Sequence, residues 1–212
     1  FKNVYLYLMV MSKKIYLTAS VILVIISSTL ISSTVAYIES NDKKVIEVTH
    51  SEEELKLFKL IKDYRSENDL SEVPLSTSLT FVAQQHCIDL HENKPDLPAT
   101  CNAHSWSENG AWSACCYTPD HKEANCMWNK PAELTNYEGY GFEIAVGSSE
   151  PIYDGYFMTA DYSFEAWKNS FHHNNAILNL DVWANTEYKA MGVGIYKGFA
   201  SVWFGRETDP EN

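Results

Sequence analysis

Residues 191–204, MGVGIYKGFASVWF, decide the fold class. The runs 191–196 and 200–204 are short and rich in β-branched and aromatic residues. Lys197-Gly198 lies between them as a turn, so the stretch predicts a β-hairpin. What precedes it has the period of helices. Residues 52–68 carry Leu55, Phe58, Ile61 and Tyr64, with Leu60 beside them, at helical spacing, and Ser51 with Glu54 forms a capping box. After a turn at 69–74, residues 76–92 place Leu79, Val82, Ala83, His86 and Leu90 on one face of a second helix. Short helices are expected at 131–136, 162–171 and 174–179. YGFEIAVG at 140–147 reads as a short strand or buried turn. Helices first and antiparallel strands last imply a layered α+β domain.

The start of the chain bears on the compartment. Lys13 and Lys14 precede an uncharged apolar run that ends at Ser33, Thr34, Val35 and Ala36, the pattern of a secretory signal. Translation is expected to begin at Met11, so that residues 1–10 are upstream sequence, with cleavage after Ala36. The rival reading is an uncleaved anchor, because residues 15–38 approach the ~20 residues that span a bilayer. Residues 37–50 read as a linker, 51–206 as the domain and 207–212 as a polar tail. The expectation is a secreted, extracellular or periplasmic protein with no membrane contact after cleavage. The net charge is −12, and loss of Lys2, Lys13 and Lys14 with the leader takes it to −15. Such a surface argues against nucleic acid and anionic membranes as partners.

Export gives the cysteines an oxidising setting. Residues 101–128, CNAHSWSENGAWSACCYTPDHKEANCMW, hold four of the five cysteines and almost no regular period. A loop that long needs a tie, and cross-links supply it. Cys101, Cys115, Cys116 and Cys126 can form two disulfides. Adjacent Cys115 and Cys116 do not pair with each other, so one takes Cys126 and the other Cys101, with the choice open. A zinc knuckle competes, but the spacing lacks a CxxC pair. Cys87 is left over on an apolar helix face, which disfavours a reactive thiol.

Several side chains carry chemistry. His104 sits in this loop, in NAHSW. Glu143 sits in GFEIA, where a carboxylate among apolar neighbours is costly to bury unless partnered. His172 and His173 are adjacent and project differently, so one of them faces a shared cleft. Two histidines and a carboxylate can hold a divalent ion such as zinc, with the glutamate as ligand or as base for a bound water. The bland readings stand beside this: a glutamate holding loop amides, a histidine capping a helix. His86 reads as a hydrogen-bonded core histidine, and His91 and His121 as exposed. The tryptophans read mainly as packing residues, with an exposed subset able to stack on a sugar. No phosphate loop and no GxSxG is present.

Taken together, LFKLIKDYRSENDL, PLSTSLTFVAQQHCIDL, NAHSW, GYGFEIA, AWKNSFHHNNAIL and the closing GVGIY and SVWFG resemble, in order, the motifs of the CAP superfamily, which comprises cysteine-rich secretory proteins, antigen 5 and pathogenesis-related proteins. The resemblance covers residues 52–205, and the cysteine-rich loop marks a variant branch. It implies an α-β-α sandwich, with helices on both faces of a small, mostly antiparallel sheet, and an open cleft with two histidines and two acids. His104 and His173 match the histidines and Glu143 the first acid. Where the second acid is expected the chain has Asn169 or Ser170, and Glu165 is a weak substitute. The family implies a binding or effector module for a lipid, a glycan or a protein more than a metal-assisted hydrolase of peptides or esters; a cell-surface structural role is the third reading. Fold alone does not choose among them.

Overall fold

Residues 44–212 are described by the computed structural model of the chain. The expected leader, its cleavage point and most of the expected linker lie outside them. Ser51 opens helix α1 (Glu52–Glu67): its hydroxyl accepts from the Glu54 amide, and the Glu54 carboxylate takes the Ser51 N–H at 2.7 Å. The buried face differs from the expected one. Leu55 is 47% exposed, while Glu54, Leu57, Ile61 and Arg65 point inward. The two charged members disguise that row in the sequence. Each has a partner inside: Glu54 accepts the Ile195 N–H at 3.1 Å, and Arg65 donates to the Ile177 carbonyl and the Asn179 amide oxygen.

Helix α2 (Thr77–Asn93) follows the periodicity, with Leu79, Val82, Ala83, His86 and Leu90 fully buried. Its N-terminus is held twice. Ser76 accepts the Leu79 N–H at 2.9 Å, and Asp209 accepts from the Ser78 amide and from both the Ser76 and Ser78 hydroxyls. Residues 207–212, polar by composition, therefore dock rather than trail. Lys44 does the same at the other end, donating to the carbonyls of Ala132, Glu133 and Thr135.

Then come α3 (Ala124–Trp128), which no periodicity announces, and α4 (Lys130–Leu134). They are followed by β1 (Gly141–Val146), α5 (Ala160–Lys168), α6 (Phe171–Ile177) and the hairpin β2 (Ala190–Tyr196) and β3 (Phe199–Gly205). Helices α5 and α6 start earlier than expected; Thr159 caps the first by accepting the Tyr162 N–H.

The three strands form one antiparallel sheet in the order β1-β3-β2. Alternation divides its side chains between two faces. Phe142, Ile144, Met191, Val193, Val202 and Phe204 pack with Leu57 and Ile61 of α1, Phe164 and Trp167 of α5 and Ile177 of α6. On the other face Ala190 and Trp203 pack with Leu79, Val82 and Ala83 of α2 and Trp106 of the loop. Helices thus cover both faces of a small sheet, as an α+β sandwich requires. Helix α2 lies so close to β2 that a Cβ on Gly192 would sit 2.1 Å from the Leu79 backbone, and one on Gly194 2.4 Å from that of Ala83. Glycine at these two positions lets helix and strand touch backbone to backbone.

Disulfides join Cys101 to Cys116 and Cys115 to Cys126, resolving the open pairing. In the chain-entropy account each closure of this length is worth about 3 kcal/mol. A short bridge, Trp106 to Cys115, reinforces them. Cys87 is free and buried, donating its thiol to the Gly194 carbonyl. Among the described residues no helix is long and apolar enough to cross a membrane.

Candidate functional site

The face of the sheet under α2 carries an acid. Glu143 faces α2 because it alternates with Phe142 and Ile144, whose side chains fill the opposite core. Its side chain has no solvent exposure. Burying an isolated carboxylate costs several kcal/mol, so partners are obligatory. It has three. His86 of α2 meets Oε1 through Nδ1 at 2.5 Å, the Ser201 hydroxyl of β3 donates to the same oxygen at 2.5 Å, and His104 of the loop meets Oε2 through Nδ1 at 2.8 Å. Four elements remote in sequence converge on one carboxylate.

The partners fix the protons. The other nitrogen of His86, Nε2, faces the Ser105 carbonyl at 3.0 Å, and a carbonyl only accepts. An ionised Glu143 likewise only accepts. Both His86 nitrogens therefore carry hydrogen, and the ring is an imidazolium. The electrostatics agree. Burial alone would raise the Glu143 pKa, but the His86 charge and the hydrogen bonds from His104 and His86 override it and hold the group at about 2. Burial alone would lower the His86 pKa; Glu143, helped by the Ser105 carbonyl and Asp89, turns the shift upward. Trp106 stacks on the His86 ring at 4.3 Å with the planes 6° apart, and the Lys130 ammonium lies 5.6 Å from the Trp106 ring. An aromatic face next to a desolvated cation is favourable.

His104 is positioned from three sides. Its Nδ1–H is spent on Glu143, its ring packs edge-on against Tyr117 at 5.1 Å, and its amide donates to the Asn102 side chain at 3.0 Å. Its side chain stays 20% exposed. With Nδ1 engaged by Glu143, Nε2 is the ring nitrogen left for an outside partner. His173, on α6, is near enough to His104 and Glu143 to feel their charges. Burial first, then His104 and His172, lower its pKa to about 4, against the opposing pull of Glu143. It is a neutral imidazole at neutral pH. His172 is exposed beside Phe171, at 5.3 Å. Glu165 points to solvent, 59% exposed, near Lys168.

The structure thus brings Glu143 and His104 into direct contact, sets His173 within their field, and leaves Glu165 outside. It adds His86 and Ser201. The histidine reads from sequence only as a core residue, because its acid lies 57 positions away. The serine carries one signal: it is the only polar side chain in the run ASVWF.

The donor set tests the expected metal. Both Glu143 oxygens are engaged, and both His86 nitrogens face acceptors. Only His104 Nε2 and the His173 imidazole remain for an ion. Among the described residues no group of three or more histidine, cysteine, aspartate or glutamate side chains is placed to hold one. These residues do not fit a resident three-ligand ion, and Glu143 serves the histidines instead.

Compared with protein-family models and with curated proteins, the sequence matches none. Solved structures similar to it include two extracellular or secretory proteins. One is an extracellular protein containing an SCP domain from Bacillus anthracis, at 15% identity and a TM-score of 0.47, covering 77% of this chain and 46% of that one. The other is a cysteine-rich secretory protein from Staphylococcus aureus, at 15% identity and a TM-score of 0.44, covering 73% and 38%. The chain spans less than half the length of either.

Proposed function

We propose that this chain is a secreted CAP-type domain that binds a ligand through the His104–His173 cleft rather than turning one over. The observation that carries this reading is the Glu143 network: a carboxylate held by three donors, with its pKa at about 2, is a poor proton acceptor at neutral pH. Its role is to fix a tautomer. Two candidate nucleophiles among the described residues are unsuited as well. Ser201 is fully buried with its hydroxyl donating a hydrogen bond to Glu143, and burial pushes the Cys87 thiol well up. What remains for a ligand is the Nε2 of a His104 ring fixed by Glu143 and the neutral imidazole of His173, suited to hydrogen-bond with a lipid head, a glycan or a protein. The apolar leader and the two disulfides support export.

The test has two arms. The purified full chain is screened against arrays of lipids, glycans and extracellular proteins, and the ligands retained are compared with those of His104→Ala. It is also incubated with a broad peptide and ester library. We expect retention that His104→Ala loses, and no turnover. Turnover abolished by Glu143→Gln would establish the hydrolase reading and overturn this one.

A further inference from the structure

The outer strands of the sheet, β1 and β2, differ at the edges they turn away from β3. On β2 the outward N–H groups are met. Met191 donates to the Pro74 carbonyl at 3.0 Å, Val193 to the Thr80 hydroxyl at 3.4 Å and Ile195 to the Glu54 carboxylate at 3.1 Å. The Met191 carbonyl accepts the Ser76 N–H at 2.9 Å. The register carries this alternation across the sheet. Met191, Val193 and Ile195 stand opposite Phe204, Val202 and Ala200, so these residues of β3 turn their main-chain groups to β1, where Phe142, Ile144 and Val146 meet them. Gly141, Glu143 and Ala145 therefore aim N–H and C=O at the open edge of β1. Among the described residues no hydrogen bond reaches any of these groups.

Nothing on the strand guards this edge. GFEIAV has no proline, no lysine and an unbroken register without a bulge. Gly141 and Ala145 are small. Glu143 is 9% exposed as a residue but its side chain not at all, so what solvent touches there is main chain. The edge is also recessed: Gly141 is buried and Ala145 only 8% exposed. A slot of that depth admits a single extended chain, not the edge of another folded domain. It runs past the His104 ring, which bonds Glu143, so slot and cleft adjoin. Its donors and acceptors recur at every second residue, about 7 Å apart. The backbone of another polypeptide has that repeat, and neither a lipid nor a glycan does. We propose that β1 takes up an extended segment of another polypeptide as a fourth strand, held by the main chain of Gly141, Glu143 and Ala145. This names the ligand class of the His104–His173 cleft and rests on the binding reading given above.

The test selects random linear peptides, displayed on phage, on the full chain. An enriched sequence is synthesised and titrated by calorimetry, as are copies N-methylated at one position each. An added strand uses every second N–H, so affinity should fall about tenfold at alternate positions and hold at those between. Ala145→Pro deletes an edge N–H that bonds nothing among the described residues and sets a ring in its place. Proline is tolerated on an edge strand where its nitrogen faces outward, which thermal unfolding checks. This variant should abolish peptide binding; if it does not fold, the N-methyl scan decides without it. The proposal is overturned if no peptide is enriched, if the scan shows no alternation, or if folded Ala145→Pro binds the peptide as the parent chain does. A dimer in sedimentation that Ala145→Pro dissolves would assign the edge to a second copy and overturn it too. If no peptide is enriched while the lipid or glycan arrays retain a ligand that His104→Ala loses, strand addition fails and the binding reading stands. If the arrays retain nothing either, both fall.

Discussion

Glu143 decides the chemistry of the site by what it cannot do. With three donors around it, it neither leaves its place nor takes up a proton near neutrality. Removing its charge should therefore act on stability before function. In Glu143→Gln the His86 imidazolium loses its counter-charge while staying buried under Trp106. Breaking a buried pair in this way costs about 3–5 kcal/mol. Urea unfolding should show a drop of that size, with the slope of the transition unchanged. A loss under 1 kcal/mol would mean that His86 is neutral in the native state and that the proton assignment is wrong. Ser201→Ala removes one donor and leaves the pair intact; about 1 kcal/mol is expected by the same measurement. Part of this centre was legible beforehand. A carboxylate in GFEIA demands a partner, and a histidine in a cysteine-tied loop is conspicuous. That His86 is the first partner was not legible, since an imidazole on an apolar helix face looks the same whether it meets a carbonyl or an acid.

At the scale of elements, the tightest constraint is the contact of α2 with β2. Gly192→Ala puts a methyl group 2.1 Å from the Leu79 backbone, and no flexible side chain is there to yield. The helix must lift, and His86 lifts with it. A loss of about 1–3 kcal/mol is expected from thermal or urea unfolding, as for overpacked cores generally. If Gly192→Ala matches the parent chain, the close approach is not a feature of the folded protein. Cys115→Ala with Cys126→Ala opens the loop behind His104 and should cost about 3 kcal/mol. Ligand retention should fall with it, because the loop is what aims the imidazole. The hairpin and both long helices were readable from period and composition. The inward face of α1 was not, because its buried row ends in Glu54 and Arg65. Helix α3 was hidden because a single turn carries no period, and its place is set by Cys126.

At the largest scale, the site joins two long-range features of the fold: a sheet covered on both faces and a stapled loop that packs on the same face as α2. Its ionisable groups then couple folding to pH from opposite sides. His86 has its pKa raised from the ordinary value of 6.5, so its contribution is complete below 6.5 and is lost as pH climbs through the raised value. His173 is lowered to about 4; its contribution is complete above 6.5 and is lost as pH falls toward 4. Glu143, held at about 2, adds to the acid side, losing its contribution as pH drops from its ordinary 4.5 toward 2. Stability should therefore peak near pH 6.5 and decline in both directions. The limbs are separable, since they belong to different elements. His173→Asn removes the group on α6 and should flatten the curve between pH 4 and 6.5 while leaving the alkaline limb. His86→Gln removes the cation on α2 and should flatten the alkaline limb at the cost of a lower maximum. Thermal unfolding from pH 3 to 9 on the three proteins reads both effects. An alkaline limb that survives in His86→Gln would assign the proton to another group and detach the site from the stability of the fold.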